Sequence, residues 1–160
     1  MIIRSATASD AESLWAIIGP VIHAGETYAL PSGWSREDAL AYWFSPDHAV
    51  FVAEDEGRVL GTYYLHANQR GGGSHVANCG YMVDAQASGR GVASAMARHS
   101  LEQARSAGFT AMQFNFVVSS NMRAIALWQR LGFEIRGSLP GAFHHPTMGM
   151  IDALVMHRQL

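Results

Sequence analysis

Several features that would assign the chain to a specialised class of protein are missing from the sequence. It has one cysteine, Cys79, which excludes an intramolecular disulfide framework and fits a reducing compartment. No apolar run approaches the ~20 residues of a membrane span, and the first residues lack the hydrophobic stretch of a secretion signal. A formal net charge of −2 provides no basic field for nucleic acid or an anionic membrane. We therefore expect a cytoplasmic protein with neither nucleic-acid nor membrane partners.

The chain has the size and composition of one compact domain. Its 160 residues are 49% hydrophobic, and no repeat, linker or low-complexity segment divides them, so we expect one domain over residues 1–160. Apolar periodicity and turn residues predict strands at 1–4, 49–54, 59–66, 110–118, 133–138 and 151–157, and a further strand that ends at about Val83. Helices are predicted after Thr7–Asp10, from Ser35, at 91–106 and at 121–131. This order indicates an α/β (α+β) fold with a mixed sheet and helices on both faces.

Three local features are expected to interrupt these elements. Pro20 should bend or break the first helix near Gly19. A β-bulge is expected beside Gly80. A loop through Pro140–Gly141 and 144–146 should separate the last two strands.

The most informative stretch leads from a strand through Ser88-Gly89-Arg90-Gly91 into a helix. Glycines at a helix start expose backbone N–H groups beside the positive end of the helix dipole, which favours a pyrophosphate. A Rossmann site is excluded because Ser94 stands at the third glycine position and no acid ends the next strand. A Walker loop is excluded because the sequence has no Gly-Lys step.

Two segments resemble the motifs of the GCN5-related N-acetyltransferase (GNAT) superfamily. Residues 83–93 resemble its acetyl-CoA loop, in which a Gln or Arg precedes a G-x-G/A pair, and two registers are possible. In the first, Gln86 is the Gln and Gly89 and Gly91 are the small pair. In the second, Ser88 takes the Gln position and Gly91 and Ala93 are the small pair. We prefer the second register because it matches the flanking residues without a gap, although Ser88 replaces the usual Gln or Arg. Residues 121–133 resemble the N-x-x-A-x-x-L-Y-x-x-x-G-F segment of the superfamily, with Trp128 in place of Tyr.

The resemblance implies a mostly antiparallel sheet that opens between its fourth and fifth strands, where the pantetheine arm of acetyl-CoA binds. It implies direct attack of an amine on the thioester, with a backbone N–H near Met82 polarising the carbonyl. Cys79 is then a packed thiol, and Trp128 offers no general acid. The implied acetyl-CoA contacts are Met82, Val83, Ser88, Gly89, Arg90, Gly91, Val92, Ala93, Asn121 and Trp128.

Two asparagines are the candidate catalytic and substrate-binding residues. Asn78 and Asn115 interrupt apolar strands that border the expected cleft, so their amides either satisfy the strand irregularities or contact substrate. The segments around them resemble a group within the superfamily that acetylates small amino and imino acids such as azetidine-2-carboxylate. Tyr28, whose loop also resembles that of phosphinothricin-type acetyltransferases, and His145 are further candidate substrate contacts.

The resemblance thus predicts an acetyl-CoA-dependent N-acetyltransferase of a small amine, with a homodimer as an expected assembly. Two alternatives stay open at this point, a protein or peptide N-acetyltransferase and a non-catalytic acyl-CoA sensor. No metal is predicted, because the histidines are scattered without the spacing of metal ligands.

Overall fold

Seven strands form one open sheet. The computed structural model describes residues 1–160, and the strands lie in the order β1-β2-β3-β4-β5-β7-β6. They are β1 (Ile2–Ser5), β2 (Ala49–Asp55), β3 (Arg58–Ala67), β4 (Val76–Val83), β5 (Ala111–Val118), β6 (Glu134–His145) and β7 (Gly149–Gln159). Only β4 and β5 pair in parallel. The predicted mixed, mostly antiparallel sheet is therefore confirmed.

Four helices cover the two faces of this sheet, as predicted. They are α1 (Ala11–Ala24), α2 (Arg36–Trp43), α3 (Val92–Ser106) and α4 (Met122–Arg130). Alternate strand residues point to opposite faces, so Val52 packs with α1 and α2 while its neighbour Ala53 packs with α3 and α4. None of the helices has both the length and the apolar character needed to cross a membrane.

The predicted break at Pro20 is wrong. The helix α1 runs through Pro20 to Ala24 and is capped by Gly25, which adopts a left-handed conformation with φ of 64°. A proline in a helix removes one backbone hydrogen bond, but α1 buries Leu14, Ile18 and Ile22 fully against the sheet. Burial of this apolar face outweighs the local preference.

The predicted loop between the last two strands is also wrong. Residues 134–145 form one strand, β6, that pairs with β7 from Glu134 to His145. The register shifts between Leu139 and Phe143, so the Pro140–Gly141 segment is absorbed as a bulge. Because β6 is the edge strand, Pro140 removes no hydrogen bond from the interior of the sheet.

The expected bulge lies on β5 rather than on β4. The β3–β4 register runs without a shift from Gly61↔Val83 to Ala67↔Ala77. The irregularity instead falls between Phe114 and Val117, where β5 pairs with β7. The bulge gives β5 one residue more than β7 between these pairs and includes Asn115. A bulge bends its strand, here toward the opening of the sheet.

Candidate functional site

The sheet opens between β4 and β5. These strands pair only at Val76↔Ala111 and Ala77↔Met112 and then separate, as the sequence predicted. The separation contributes to a cavity of about 270 Å³, which we call the splay cavity. It is lined by Thr27, Tyr28, Ala29, Leu30, Tyr42, Tyr64, Asn78, Cys79, Tyr81, Phe114, Asn115, Phe116, Val117, Val118, Asn121, Ala124 and Trp128.

The edge of β4 presents backbone groups to the splay cavity. The hydroxyl of Tyr28 lies 2.7 Å from the carbonyl oxygen of Tyr81, to which it donates, and 2.6 Å from the Tyr81 nitrogen, whose N–H it accepts. Backbone groups of successive strand residues point to alternate sides, so the N–H of Met82 points to β3. Met82 itself is buried in the core with α1 and α2. The N–H that faces the gap is therefore that of Tyr81.

The two candidate asparagines both line the splay cavity and meet different partners. Asn78 Nδ2 donates to the carbonyl of Gln113 on β5 at 2.9 Å, which links the two strands where they begin to separate. Asn115, in the β5 irregularity, donates to Asn68 at 2.6 Å and accepts from the Gln113 side chain at 2.9 Å. Asn78 thus has a structural partner across the two strands, both amides line the cavity, and their contact with substrate stays a prediction.

The groups lining the splay cavity include no activated nucleophile. Burial raises the pKa of the Cys79 thiol to about 12, so the thiol stays protonated at neutral pH. Burial also raises the pKa of the Tyr28 and Tyr81 hydroxyls above the usual value. The Trp128 indole packs against Phe114 and Tyr81, with ring centroids 4.7 and 4.9 Å away. This aromatic contact gives Trp128 a packing role.

A second cavity, which we call the loop cavity, has a volume of about 890 Å³ and lies at the glycine loop. Gly89 and Gly91 adopt positive φ angles of 80° and 78°, and α3 begins directly after them at Val92. The loop therefore presents its backbone at a helix N-terminus, as predicted. Val83, Ser88 and Ala93 also line this cavity.

Two arginines of the loop cavity were missed by the sequence reasoning. Arg123 and Arg130 line it from α4, and Arg123 Nη1 lies 3.5 Å from Ser88 Oγ. Their spacing of seven residues places them on one face of a helix, and this was the available signal. Two cations beside exposed backbone N–H groups make the loop cavity suitable for phosphate groups.

The remaining predicted residues lie in several places. Asn121 caps α4, its side chain accepting from the Ala124 N–H, and it lines the splay cavity with Trp128. Arg90 lies outside the lining of both cavities and pairs with Asp55 at 2.9 Å. His145 also lies outside both linings, and its Nδ1 accepts from the N–H groups of Thr147 and Met148 in the β6–β7 turn. The structure gives His145 a capping role there, and its contact with substrate stays a prediction.

The family follows from comparison with known proteins. The profile of the Acetyltransferase (GNAT) family matches residues 20–133. The chain belongs to this family. A solved GCN5-related N-acetyltransferase from Kribbella flavida is 41% identical, with a TM-score of 0.94 over 99% of this chain and 97% of that one. These findings confirm the superfamily and the fold predicted from the two motifs.

Two curated relatives of this GNAT protein carry functional names. The N-acetyltransferase aca1 of Schizosaccharomyces pombe is 28% identical over 76% of this chain and 66% of its own length. The L-amino acid N-acetyltransferase AaaT of Escherichia coli is 31% identical over 86% of this chain and 85% of its own length. The enzyme class predicted from the sequence is that of these relatives. Two solved proteins of this fold, from Salmonella typhimurium and Sinorhizobium meliloti, contain acetyl-CoA.

Proposed function

We propose that this protein transfers the acetyl group of acetyl-CoA directly to the amine of a small amino or imino acid. The observation that carries the proposal is the opening of the parallel β4–β5 pair after two residue pairs. The N–H and carbonyl of Tyr81 thereby face a cavity that two asparagine amides also line, and no strand but only the Tyr28 hydroxyl bonds them. The arginine-flanked glycine loop follows β4 along the chain, so one strand leads from an acyl site to a phosphate site.

Acetyl-CoA, the acetyl donor, would occupy both cavities. The pyrophosphate fits the loop cavity, where Gly89 and Gly91 orient backbone N–H groups and Arg123 and Arg130 supply positive charge. The pantetheine amides would hydrogen-bond the edge of β4, where the Tyr28 hydroxyl now bonds the backbone groups of Tyr81. The N–H of Tyr81 is the donor that a thioester carbonyl would meet, and it would stabilise the negative charge that develops on that oxygen.

The acceptor side is neutral and aromatic. No charged side chain lines the splay cavity, so the acceptor would be held by the amides of Asn78 and Asn115 and by tyrosine hydroxyls. The neutral amine forms a bond to the carbonyl carbon, the carbon–sulfur bond breaks, the amine loses a proton to solvent, and the CoA thiolate takes one from water. The raised pKa of the Cys79 thiol disfavours an acyl-enzyme at that residue. The name of the E. coli relative supports an amino acid as acceptor.

The proposal is tested by measuring CoA release from acetyl-CoA with proline, azetidine-2-carboxylate, L-amino acids, an amine without a carboxylate, and a peptide. We expect an amino or imino acid to give the highest kcat/KM. A preference for the peptide would contradict the small-molecule assignment. Binding of acetyl-CoA without turnover on any acceptor would indicate a sensor and would contradict the enzyme proposal.

The same assay tests the two asparagines. Asn78→Ala and Asn115→Ala should each raise the KM for the amine about tenfold, the value of one hydrogen bond, and leave the KM for acetyl-CoA unchanged. Gln103→Ala is the matched amide control, because Gln103 lies on α3 outside the lining of both cavities. Acceptor kinetics equal to those of the unmodified enzyme would assign both asparagines to structure alone.

The proposal includes a cytoplasmic location and a homodimer. Acetyl-CoA is available inside the cell, which supports the first. The apolar side chains exposed on the β6–β7 hairpin support the second, including Ile135, Leu139, Met148 and Met150.

A further inference from the structure

Three side chains of types that bind metals lie close together outside the lining of either cavity, and one of them, His66, contacts Asn78. Asp47 and His48 lie between α2 and β2, and His66 lies near the end of β3. One potential ligand atom of each lies within 4.8 Å of those of the other two. The sequence separation between position 48 and position 66 hid this cluster, which forms only when β2 and β3 pair.

The hydrogen bonds of His48 determine its tautomer. Its Nδ1 lies 3.0 Å from the backbone carbonyl oxygen of Trp43. A carbonyl oxygen only accepts, so Nδ1 carries the hydrogen and Nε2 carries the free lone pair. The ring is also fixed by stacking on Tyr64, with centroids 4.1 Å apart and planes at 11°.

The tautomer of His66 follows from Asn78. Asn78 Nδ2 donates to the Gln113 carbonyl, so Asn78 Oδ1 is the atom that faces His66 Nε2, at 3.1 Å. An amide oxygen only accepts, and His66 Nε2 must therefore carry the hydrogen. In the neutral ring the lone pair is then on His66 Nδ1, which lies 3.8 Å from Asp47 Oδ2.

This arrangement is the one found around protein-bound metals, where a ligating histidine donates its other N–H to a carbonyl. Both histidines meet that condition, and each keeps one nitrogen free. The Asp47 side chain is 70% exposed and can rotate toward them, so the cluster opens to solvent. Two imidazoles and one carboxylate are a ligand set for zinc or a similar transition metal, whereas magnesium and calcium prefer oxygen ligands.

We propose that Asp47, His48 and His66 bind a divalent transition metal of the Zn²⁺ class, with water completing the shell. The metal is not part of the acetyl-transfer chemistry. A metal bound at His66 Nδ1 withdraws electron density from the ring, so the Nε2–H becomes a stronger donor and holds Asn78 Oδ1 more firmly. Metal occupancy thus reaches the acceptor side of the splay cavity through one hydrogen bond.

The site is tested by titrating the metal-free protein with Zn²⁺, and with Co²⁺ as a spectroscopic probe. We expect one equivalent to bind, with the visible absorption of Co²⁺ in a low-coordinate nitrogen and oxygen site. Asp47→Asn and His48→Gln should each weaken binding at least about tenfold, since each removes a direct ligand. Excess Mg²⁺ should not compete.

Two controls separate this site from binding at surface side chains. His144→Asn removes an exposed histidine and Glu37→Gln removes an exposed carboxylate, and both should bind Zn²⁺ as the unmodified protein does. Thermal unfolding of each variant checks that it folds. The proposal is overturned by absence of saturable Zn²⁺ binding, or by Asp47→Asn and His48→Gln variants that bind with unchanged affinity.

The effect of metal binding on Asn78 is measured separately, by the KM for the amine, and it rests on the proposed function. Zn²⁺ should lower the KM for the amine in the unmodified enzyme and leave it unchanged in Asp47→Asn. An amine KM unaffected by saturating Zn²⁺ would refute that link. Failure of acetyl transfer itself would be visible without metal, whereas the Co²⁺ spectrum reports the site without any turnover.

Discussion

At the scale of single residues, the Tyr28 hydroxyl takes the place of a missing strand. A strand edge that faces a gap leaves N–H and carbonyl groups without partners, which is costly when they are buried. Tyr28 satisfies both groups of Tyr81 with one oxygen, at 2.6 and 2.7 Å. In the proposed reaction a thioester carbonyl would need the same N–H, so Tyr28 and the donor compete for it.

The first prediction concerns Tyr28→Phe. Loss of the hydroxyl leaves the Tyr81 backbone groups without their partner, and we expect a loss of about 1 kcal/mol in the free energy of unfolding by urea. Acetyl-CoA should then raise the melting temperature more in the variant than in the unmodified protein, because binding no longer has to displace the hydroxyl.

Tyr42→Phe is the control for Tyr28→Phe, since Tyr42 lines the same cavity and bonds the Tyr64 hydroxyl at 3.2 Å instead of the β4 edge. It should leave the acetyl-CoA-induced shift unchanged. Equal shifts in Tyr28→Phe and the unmodified protein would show that Tyr28 and the donor do not compete.

The second prediction is the pH dependence of acetyl transfer. The pKa values of Tyr28, Cys79 and Tyr81 are all raised by burial, that of Cys79 to about 12. An acid with a raised pKa stays protonated to higher pH, so none of the three ionises near neutrality. The amine must lose its proton before attack, and kcat/KM should rise about tenfold per pH unit below the pKa of the amine.

The measurement is kcat/KM from about pH 6 to about pH 9 for two acceptors whose amine pKa values differ, and the break in the profile should move with the acceptor. A break in the kcat/KM profile at about pH 6.5 for both acceptors would instead identify a histidine of the protein as the base.

The residue-level predictions agree with the structure where the geometry is local in sequence. The conformation of the glycine loop could be predicted because it depends on consecutive residues at 88–91, with Gly89 and Gly91 at positive φ. The cluster of Asp47, His48 and His66, and the approach of Arg123 to Ser88, depend on the pairing of distant elements. Sequence patterns carry that information only after the fold is known.

At the scale of elements, close contact between β3 and β4 shapes the acceptor side. A Cβ on Gly80 would lie 2.6 Å from the ring of Tyr64, whose side chain crosses this position from the neighbouring strand. The sequence marked Gly80 as unusual, but the reason is the proximity of a side chain and not a bulge. A glycine in a strand indicates either cause, and only the packing distinguishes them.

The third prediction is therefore made for Gly80→Ala. The Tyr64 ring is buried and stacked on His48, so it has little freedom to move away from a methyl group. We expect a loss of about 1–3 kcal/mol in the free energy of unfolding by urea. The KM for the amine should also rise, because a displaced Tyr64 would enter the splay cavity that it lines.

Gly137→Ala on β6 is the matched control for Gly80→Ala, because no atom lies within 4 Å of its added Cβ and it should change stability little. An unchanged free energy of unfolding for Gly80→Ala would show that the Tyr64 ring moves away from the added methyl group without loss of stability.

The elements themselves were predictable to within a few residues up to Gly132. Amphipathic patterns and end signals agree there, as at Ser35, which caps α2 with Asp38 as predicted. The errors lie at prolines. Pro20 and Pro140 disfavour regular structure locally, but burial of α1 and the pairing of β6 with β7 are tertiary effects that outweigh it.

At the scale of the whole molecule, the two edges of the sheet differ. The β1 edge is short, four residues, and its Arg4 joins Asp10 and Glu54 in ion pairs at 2.8 and 2.6 Å. The β6 edge is twelve residues long and exposes Ile135 and Leu139. A long edge strand with exposed apolar side chains is a surface that proteins usually cover.

The last prediction is that two copies associate through the β6–β7 hairpin. Size-exclusion chromatography with light scattering should give twice the mass of the 17.4 kDa chain. Leu139→Glu places a charge at an apolar, 41% exposed position and should shift the mass to that of the monomer while the fold is retained. Met122→Glu is the control, since Met122 is 67% exposed on α4, away from the hairpin, and should leave the mass unchanged. A monomer for the unmodified protein at micromolar concentration would contradict the assembly, whereas CoA release in the acceptor assay tests the acetyl-transfer proposal separately.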